Sequence, residues 1–276
     1  MTYGEILSFG KDYLESSHIT DFESDAWLLF SYCVNMNRAK YIMKMKDDAP
    51  DCIRQAYEVL LSKRSKGVPV QYLLGTQSFF GYDFFVNENV LIPRADTEVL
   101  VNEALKLAGL NAKVLDLCTG SGCIAVTVKL ERNDLKVSAS DISEGALSIA
   151  RLNADYNNAD VTFYQGDLFD AINEKFDVII SNPPYIETEE IEKLESNVKD
   201  FEPRTALDGG ITGLDFYERI FKEAGDYLSE HGVVAVEIGY NQGEAVSDIA
   251  GRNGFGNIRV IKDLGGLDRV VTAVLK

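Results

Sequence analysis

From Lys113 to its end the chain switches repeatedly between short apolar runs and helical stretches, and this alternation constrains the fold more than any other feature. Val114-Leu115-Asp116-Leu117, Lys136–Ser140, Val161–Tyr164, Phe176–Ser181 and Val233–Ile238 are short runs of β-favouring residues that read as strands. Helical segments separate them, over Cys123–Leu130, Glu144–Tyr156 and Leu214–Leu228. A helix near Glu244–Ala250 and two strands, Asn257–Ile261 and Arg269–Val274, complete the pattern. Strands joined through helices lie parallel in one sheet with helices on both faces, so the expectation is a doubly wound, Rossmann-like α/β fold. No internal repeat interrupts it.

The chain before this region differs. Residues 3–66 read as helical: Ile6, Leu7, Tyr13 and Leu14 fall near one face, Trp27, Leu28, Phe30 and Val34 continue the pattern, and Pro50 suits the first turn of a later helix. Gly67 and Pro69 are expected to end the helical part. Around Gly81 the chain turns aromatic, with Phe79, Phe80, Tyr82, Phe84 and Phe85, which suggests a β-hairpin. Pro93 then breaks regular structure, and Asp96 or Thr97 is placed to cap a helix reaching Leu107. The expected organisation is a helical domain over 1–68, a hairpin linker over 69–92 and an α/β domain over 93–276.

Composition excludes several classes of chemistry. With 27 basic and 44 acidic residues the net charge is -17, which disfavours direct nucleic-acid binding, since that affinity comes largely from lysine and arginine displacing counterions. The four cysteines, Cys33, Cys52, Cys118 and Cys123, form no CxxC pair, so no metal site is expected and the thiols read as small buried groups. His18 and His231 are the only histidines. His231, in Ser229-Glu230-His231-Gly232, reads as a helix-end residue. Early charges at Glu5, Lys11 and Asp12 rule out a signal-peptide core, and no apolar run is long enough for a membrane helix, so a cytoplasmic location is expected.

In open α/β sheets ligands bind beyond the carboxyl ends of the strands. The first such end continues as Cys118-Thr119-Gly120-Ser121-Gly122, where glycines let the backbone approach a ligand and a helix N-terminus follows. The second strand leads to Asp141, whose carboxylate can accept hydrogen bonds from both hydroxyls of a ribose. These two signals specify a nucleoside cofactor, and the incomplete GxGxxG spacing weakens the dinucleotide reading. After the third strand, Asp167 is placed to meet an adenine amino group and Leu168 to pack on its ring.

The fourth strand runs into Asn182-Pro183-Pro184-Tyr185. Two prolines remove two backbone donors and leave carbonyl oxygens without a local N–H. The Asn182 side-chain oxygen and the Pro183 carbonyl can then accept both hydrogens of an NH2 group, while Tyr185 offers a flat face to a planar group. Such an NH2, conjugated to a carbonyl or ring, is a poor nucleophile. Two acceptors orient its nitrogen and stabilise positive charge developing on it.

On these residues the chain resembles the release factor glutamine N5-methyltransferases of the HemK/PrmC type. Asn182-Pro183-Pro184-Tyr185 alone is shared with DNA adenine and some RNA methyltransferases. Leu91-Ile92-Pro93-Arg94-Ala95-Asp96-Thr97-Glu98, Phe201-Glu202-Pro203-Arg204-Thr205-Ala206-Leu207-Asp208-Gly209-Gly210, and Glu237-Ile238-Gly239 with Gln242-Gly243 sharpen the resemblance over nearly the whole length. It implies a class I methyltransferase sheet of seven strands whose last is antiparallel. It also implies S-adenosylmethionine as cofactor, and methylation of the side-chain amide nitrogen of the glutamine in a Gly-Gly-Gln tripeptide of peptide chain release factors. The implied cofactor residues are Cys118, Thr119, Gly120, Ser121, Gly122, Asp141, Leu168 and Asn182, to which the reading of the third strand end adds Asp167. The implied substrate residues are Asn182, Pro183, Pro184 and Tyr185, with Asn182, Pro183 and Tyr185 catalytic. Two positions depart from the family pattern: Cys118 replaces a usual glycine and Ala95 a usual proline. The alternative is an amino-group methyltransferase acting on adenine N6 or guanine N2 of DNA or RNA, against which the acidic charge counts. The N-terminal helices and the hairpin are expected to meet the protein partner.

Overall fold

A computed structural model describes residues 1–276. The chain forms two compact units, Met1–Thr76 with Glu195–Phe201, and Gln77–Leu194 with Glu202–Lys276. The first unit is built from α1 (Tyr3–Ser16), α2 (Phe22–Val34), α3 (Arg38–Lys44), α4 (Asp51–Arg64) and α5 (Val70–Leu74). A reciprocal cap starts α1: the Glu5 N–H donates to the Thr2 hydroxyl, and the Thr2 N–H donates to the Glu5 carboxylate. Tyr57 of α4 is fully buried and donates its hydroxyl to the Ala26 carbonyl at 2.9 Å. It fits because α1 carries Gly10 there; a Cβ would lie 1.9 Å from the Tyr57 oxygen. Asp25 and Arg64 pair inside the unit at 2.6 Å. Pro69 does not end the helical region as expected. Lacking an N–H that a helix start would leave unpaired, it precedes the short extra helix α5.

The hairpin comprises β1 (Thr76–Phe79) and β2 (Tyr82–Phe85). Phe80 and Gly81 between them have φ of 53° and 82°, the left-handed pair that matches strand twist in a two-residue hairpin. Phe80 is held there by its N–H, which donates to Glu98 at 2.9 Å. The next elements are α6 (Glu98–Leu107), β3 (Lys113–Leu117), α7 (Cys123–Glu131), β4 (Lys136–Asp141), α8 (Glu144–Asn157), β5 (Val161–Gln165) and β6 (Phe176–Ser181). They are followed by α9 (Ser196–Lys199), α10 (Asp215–Tyr227), β7 (Leu228–Glu237), α11 (Gly243–Arg252), β8 (Phe255–Lys262) and β9 (Asp268–Leu275).

The expected α/β sheet is present, with seven strands in the order β5-β4-β3-β6-β7-β9-β8. Pairs from β5 to β7 are parallel, and β9 runs antiparallel to both its neighbours. Successive side chains of a strand face opposite sides. Val178 and Ile180 of β6 therefore join a core with α6, α7 and the hairpin phenylalanines, while Ile179 joins one with α10 and α11. The chain leaves β3 outward through β4 and β5, then returns to lay β6 on the other side of β3. This reversal opens a crevice where β3 and β6 end side by side.

Two local expectations are corrected. His231 caps no helix: it lies exposed within β7 at φ 60°, where pairing with β6 slips, Leu228 facing Phe176 and Val233 facing Val178. Asp96 and Thr97 make no capping bond to α6, which the chain enters through a single 3-10 turn, Ala95–Thr97. No helix is long and apolar enough to cross a membrane.

Candidate active site

A cleft of ≈ 930 Å³, counting its open mouth, lies at the carboxyl ends of β3, β4 and β6. Its size suits a nucleoside-sized ligand. The β3 loop forms one wall. Cys118, Gly120 and Gly122 all have positive φ, at 58°, 55° and 79°. Cys118 thus adopts the left-handed conformation in which glycine is the unstrained residue. The two glycines serve different geometry. A Cβ on Gly120 would meet nothing within 4 Å, because the residue borders the cleft, whereas one on Gly122 would lie 3.0 Å from the Ala150 Cβ on α8. Gly122 therefore allows α7 and α8 to approach, and α7 begins directly after it.

Below this loop Asp116 is completely buried and accepts the Thr119 hydroxyl at 2.6 Å through Oδ2. Burial pushes its carboxyl up to about 7, with the Thr119 hydroxyl and the Ala125 N–H opposing the rise. Sequence reasoning passed over Asp116, although an acid set among apolar strand residues just before a glycine turn was a usable signal.

Asp141, at the end of β4, accepts the Gly120 N–H through Oδ2 and the Ser143 N–H through Oδ1, each at 2.9 Å. Burial raises its carboxyl and these backbone donors oppose the rise. Each oxygen keeps a further lone pair, so two ligand hydroxyls can still be accepted. Asp167 also borders the cleft and pairs with Arg219 at 2.9 Å. Leu168 has φ 52° and is nearly buried, bordering the cleft while packing into the core around Phe169.

These features fit the adenosyl part of S-adenosylmethionine. There is open space over Gly120 where a Cβ would intrude, and a carboxylate, Asp141, at the ribose position. The clustered acids also suit a cationic sulfonium.

Asn182 and Pro184 form the opposite wall, directly after β6. The Asn182 Nδ2 donates to the Thr97 hydroxyl oxygen at 3.3 Å. With its NH2 occupied there, the carboxamide oxygen is the group free to accept. Pro183 and Pro184 are buried. Tyr185 is held from both ends: its carbonyl accepts the Gln242 Nε2 at 3.0 Å, and its hydroxyl donates to Glu237 Oε1 at 3.5 Å. Burial, reinforced by the Glu237 charge, pushes the Tyr185 phenol well above its ordinary range. Gln242 also accepts the Gly239 N–H at 2.8 Å. Gly209 and Gly213 pack against the backbone of Tyr185, where a Cβ would come within 2.7 Å of its Cα and 2.4 Å of its carbonyl oxygen.

The cleft is roofed by Pro203, Thr205 and Ala206. That segment is tied down by Glu202, which accepts the Ile92 N–H at 3.1 Å and pairs closely with Arg94. The motifs around Ile92, Asn182 and Glu202, scattered along the chain, thus meet around one cleft, and Gln242 supports it from behind through the Tyr185 carbonyl. Glu202, Glu237 and Gln242 were legible only as parts of those motifs, without roles, and Thr97 only as a candidate helix cap.

Known proteins bear on this arrangement. Residues 5–75 match the model of the PrmC N-terminal domain, and residues 95–198 that of the methyltransferase small domain. A release factor glutamine methyltransferase of Geobacter sulfurreducens is 40% identical over 272 residues, covering 98% of this chain and 95% of its own. One of Neisseria gonorrhoeae is 42% identical over 249 residues, covering 89% and 91%. Among solved structures, a methyltransferase of Pyrococcus furiosus superposes with a TM-score of 0.56 at 22% identity, over 71% of this chain and 89% of that one.

Proposed function

Because the chain belongs to the release factor glutamine methyltransferases, we propose that its Asn182–Tyr185 corner holds the side-chain amide of a release factor glutamine. The protein is an S-adenosylmethionine-dependent methyltransferase, and the group methylated is that amide nitrogen, in a Gly-Gly-Gln tripeptide. The cofactor supplies an electrophilic methyl carbon on a sulfonium. The observation that carries the assignment is Asn182: its NH2 is committed to Thr97, which leaves its oxygen to accept from the substrate beside the β3 loop.

Asn182 Oδ1 and the Pro183 carbonyl take one amide hydrogen each and turn the nitrogen lone pair toward the cofactor side of the cleft. They stabilise the positive charge that grows on nitrogen as it bonds to carbon. Neither is a strong base, so the nitrogen–carbon bond would form as the carbon–sulfur bond breaks, leaving a neutral thioether, and the proton would pass from nitrogen to solvent afterwards rather than before. Pro184 and the Tyr185 ring confine the planar amide, and fixing both reactants in line removes much of the entropic part of the barrier. Asp141 orients the ribose, the Cys118–Gly122 loop and Leu168 shape the nucleoside pocket, and Asp167 faces the adenine edge. The N-terminal helical unit and the hairpin recognise the body of the release factor.

Transfer of labelled methyl from S-adenosylmethionine to a purified release factor tests this. Replacing the glutamine of its Gly-Gly-Gln tripeptide should abolish the signal. Methylation of DNA or RNA with none of the release factor would overturn the assignment.

A further inference from the structure

We propose that Asn153 is a positioning residue for the cofactor: its buried carboxamide on α8 ties a peptide plane of the β3 loop to the backbone at the end of the hairpin, and so fixes the two margins of the cleft that these segments lead into. This rests on the reading of Cys118–Gly122 as the loop that meets S-adenosylmethionine. Asn153 lies 32 positions from Ser121 and 68 from Phe85, and α8 brings it against both.

A carboxamide has one acceptor oxygen and two N–H hydrogens. Asn153 is fully buried and uses all three. Its Oδ1 accepts the Phe85 N–H at 2.6 Å, and its Nδ2 donates to the Phe85 carbonyl at 3.0 Å and to the Ser121 carbonyl at 2.8 Å. Toward Phe85 it acts as the peptide of a neighbouring strand would, since a strand in a two-stranded sheet has an edge with no strand beside it.

Toward Ser121 it fixes a direction. The backbone bonds of α7 reach back to the Gly122 carbonyl, which accepts the Val126 N–H at 2.9 Å, and stop short of Ser121. The Ser121 carbonyl and the Gly122 N–H share one peptide plane. Asn153 holds the first, and the Thr119 carbonyl accepts the second at 2.8 Å, so the plane cannot turn without breaking both bonds. That plane closes the turn through Thr119, Gly120 and Ser121, which border the cleft. On the other side, the chain beyond Phe85 runs through Val86 to Asn89, Val90 and Leu91, which border the cleft as well. Asn153 itself does not line it. Two further residues of α8 grip the hairpin: Asn157 Nδ2 donates to the Asp83 carbonyl at 3.1 Å, and the Tyr156 ring meets Phe85 edge-on at 5.0 Å. Neither bonds to the β3 loop, so together they separate a hold on the hairpin from a hold on the loop.

The test compares Asn153→Asp, Asn157→Ala and Tyr156→Ala in the full chain, reading S-adenosylmethionine affinity by calorimetry, turnover on a release factor at saturating cofactor, and melting. Asn153→Asp keeps the shape and the oxygen that receives Phe85, but it has at most one hydrogen where two are needed. Its cofactor Kd should rise about tenfold or more while kcat at saturation stays within about threefold, because the Asn182 corner is untouched. Asn157→Ala and Tyr156→Ala loosen the hairpin but leave Ser121 tied, and should bind cofactor within about threefold of wild type whatever they lose in melting. An unchanged Kd in Asn153→Asp, a loss confined to its kcat, or a Kd that rises in step with falling melting temperature across all three variants would overturn the assignment. If Asn153→Asp does not fold, Asn153→Ala serves in its place. Weakened binding in Asp141→Ala reads the cleft as the cofactor site, and the contrast between Asn153 and its two neighbours reads the positioning, so failure of one is distinct from failure of the other.

Discussion

Exchanging Gly120 and Gly122 for alanine, one at a time, should separate ligand binding from folding within a stretch of three residues. Both sit at positive φ, where a Cβ costs about 1–2 kcal/mol. The stiffer unfolded chain returns about 0.4–1 kcal/mol of that, leaving each variant about 1 kcal/mol less stable from the backbone alone. For Gly120→Ala nothing further is lost in the fold, since no heavy atom lies within 4 Å of the new methyl. For Gly122→Ala the methyl meets Ala150 at 3.0 Å and the Ala150 Cα at 3.1 Å. That neighbour belongs to helix α8 and cannot rotate away, so α7 and α8 must part, at about 1–3 kcal/mol for overpacking. The totals are about 1 kcal/mol for Gly120→Ala and about 2–4 kcal/mol for Gly122→Ala.

At about 2–4 °C per kcal/mol for a chain of this size, melting should drop by about 3 °C in the first case and about 10 °C in the second. Cofactor binding should show the reverse order. The Gly120 methyl enters the space meant for S-adenosylmethionine, and a misfit of about 1.4 kcal/mol or more weakens Kd about tenfold or more. Gly122→Ala, measured well below its melting temperature, should bind within about threefold of wild type. Calorimetric titration with S-adenosylmethionine and a thermal melt of each variant give both quantities. If Gly122→Ala lost affinity while melting like wild type, or Gly120→Ala bound normally, the division of roles between the two glycines would be wrong.

Other outcomes follow from the same geometry. Asn182→Ala should lower kcat about 10²–10³-fold while cofactor Kd changes only a few-fold; steady-state rates beside calorimetry show whether the loss lies in turnover. Asp141→Ala should do the opposite, raising cofactor Kd about tenfold or more with kcat at saturation changed little; equal small effects of both substitutions would place the chemistry elsewhere. Asp116 and Glu237 each hold a proton up to about 7, above the ordinary 3.8 and 4.5, so the folded state binds protons more tightly than the unfolded chain between those limits. The sign is that these groups destabilise the fold progressively as pH rises from about 4 to about 7, by about 3–4 kcal/mol each at most, and change nothing further above that. Glu237→Gln should therefore melt with a shallower fall than wild type between about pH 5 and about pH 8, and identical slopes would contradict the burial argument.

Much of the fold was legible because its signals are local. Strand and helix periods depend on neighbours a few positions apart, so β3, β4, β5 and β6 lie within a residue or so of where the apolar runs put them. The errors came where a distant partner overruled the local signal. Thr97 looked like a helix cap, but its hydroxyl is used by Asn182. His231 looked like a helix end because the irregular start of β7, laid along Phe176, cannot be seen in a run of polar residues.

Which residues stand at the ends of which strands, and hence the glycine loop, Asp141 and the Asn182–Tyr185 corner, can be read along the chain. Strand ends are set by where an apolar run stops, and that is written in the chain. How these ends are oriented and supported emerges on packing alone: Thr97 holds Asn182, Glu237 holds Tyr185, and Arg94 pairs with Glu202 from 108 positions away. Burying apolar faces fixes the layers of a fold without distinguishing one polar partner from another. Which donor meets which acceptor depends on register and on side-chain direction after packing, and neither exists until the sheet has formed.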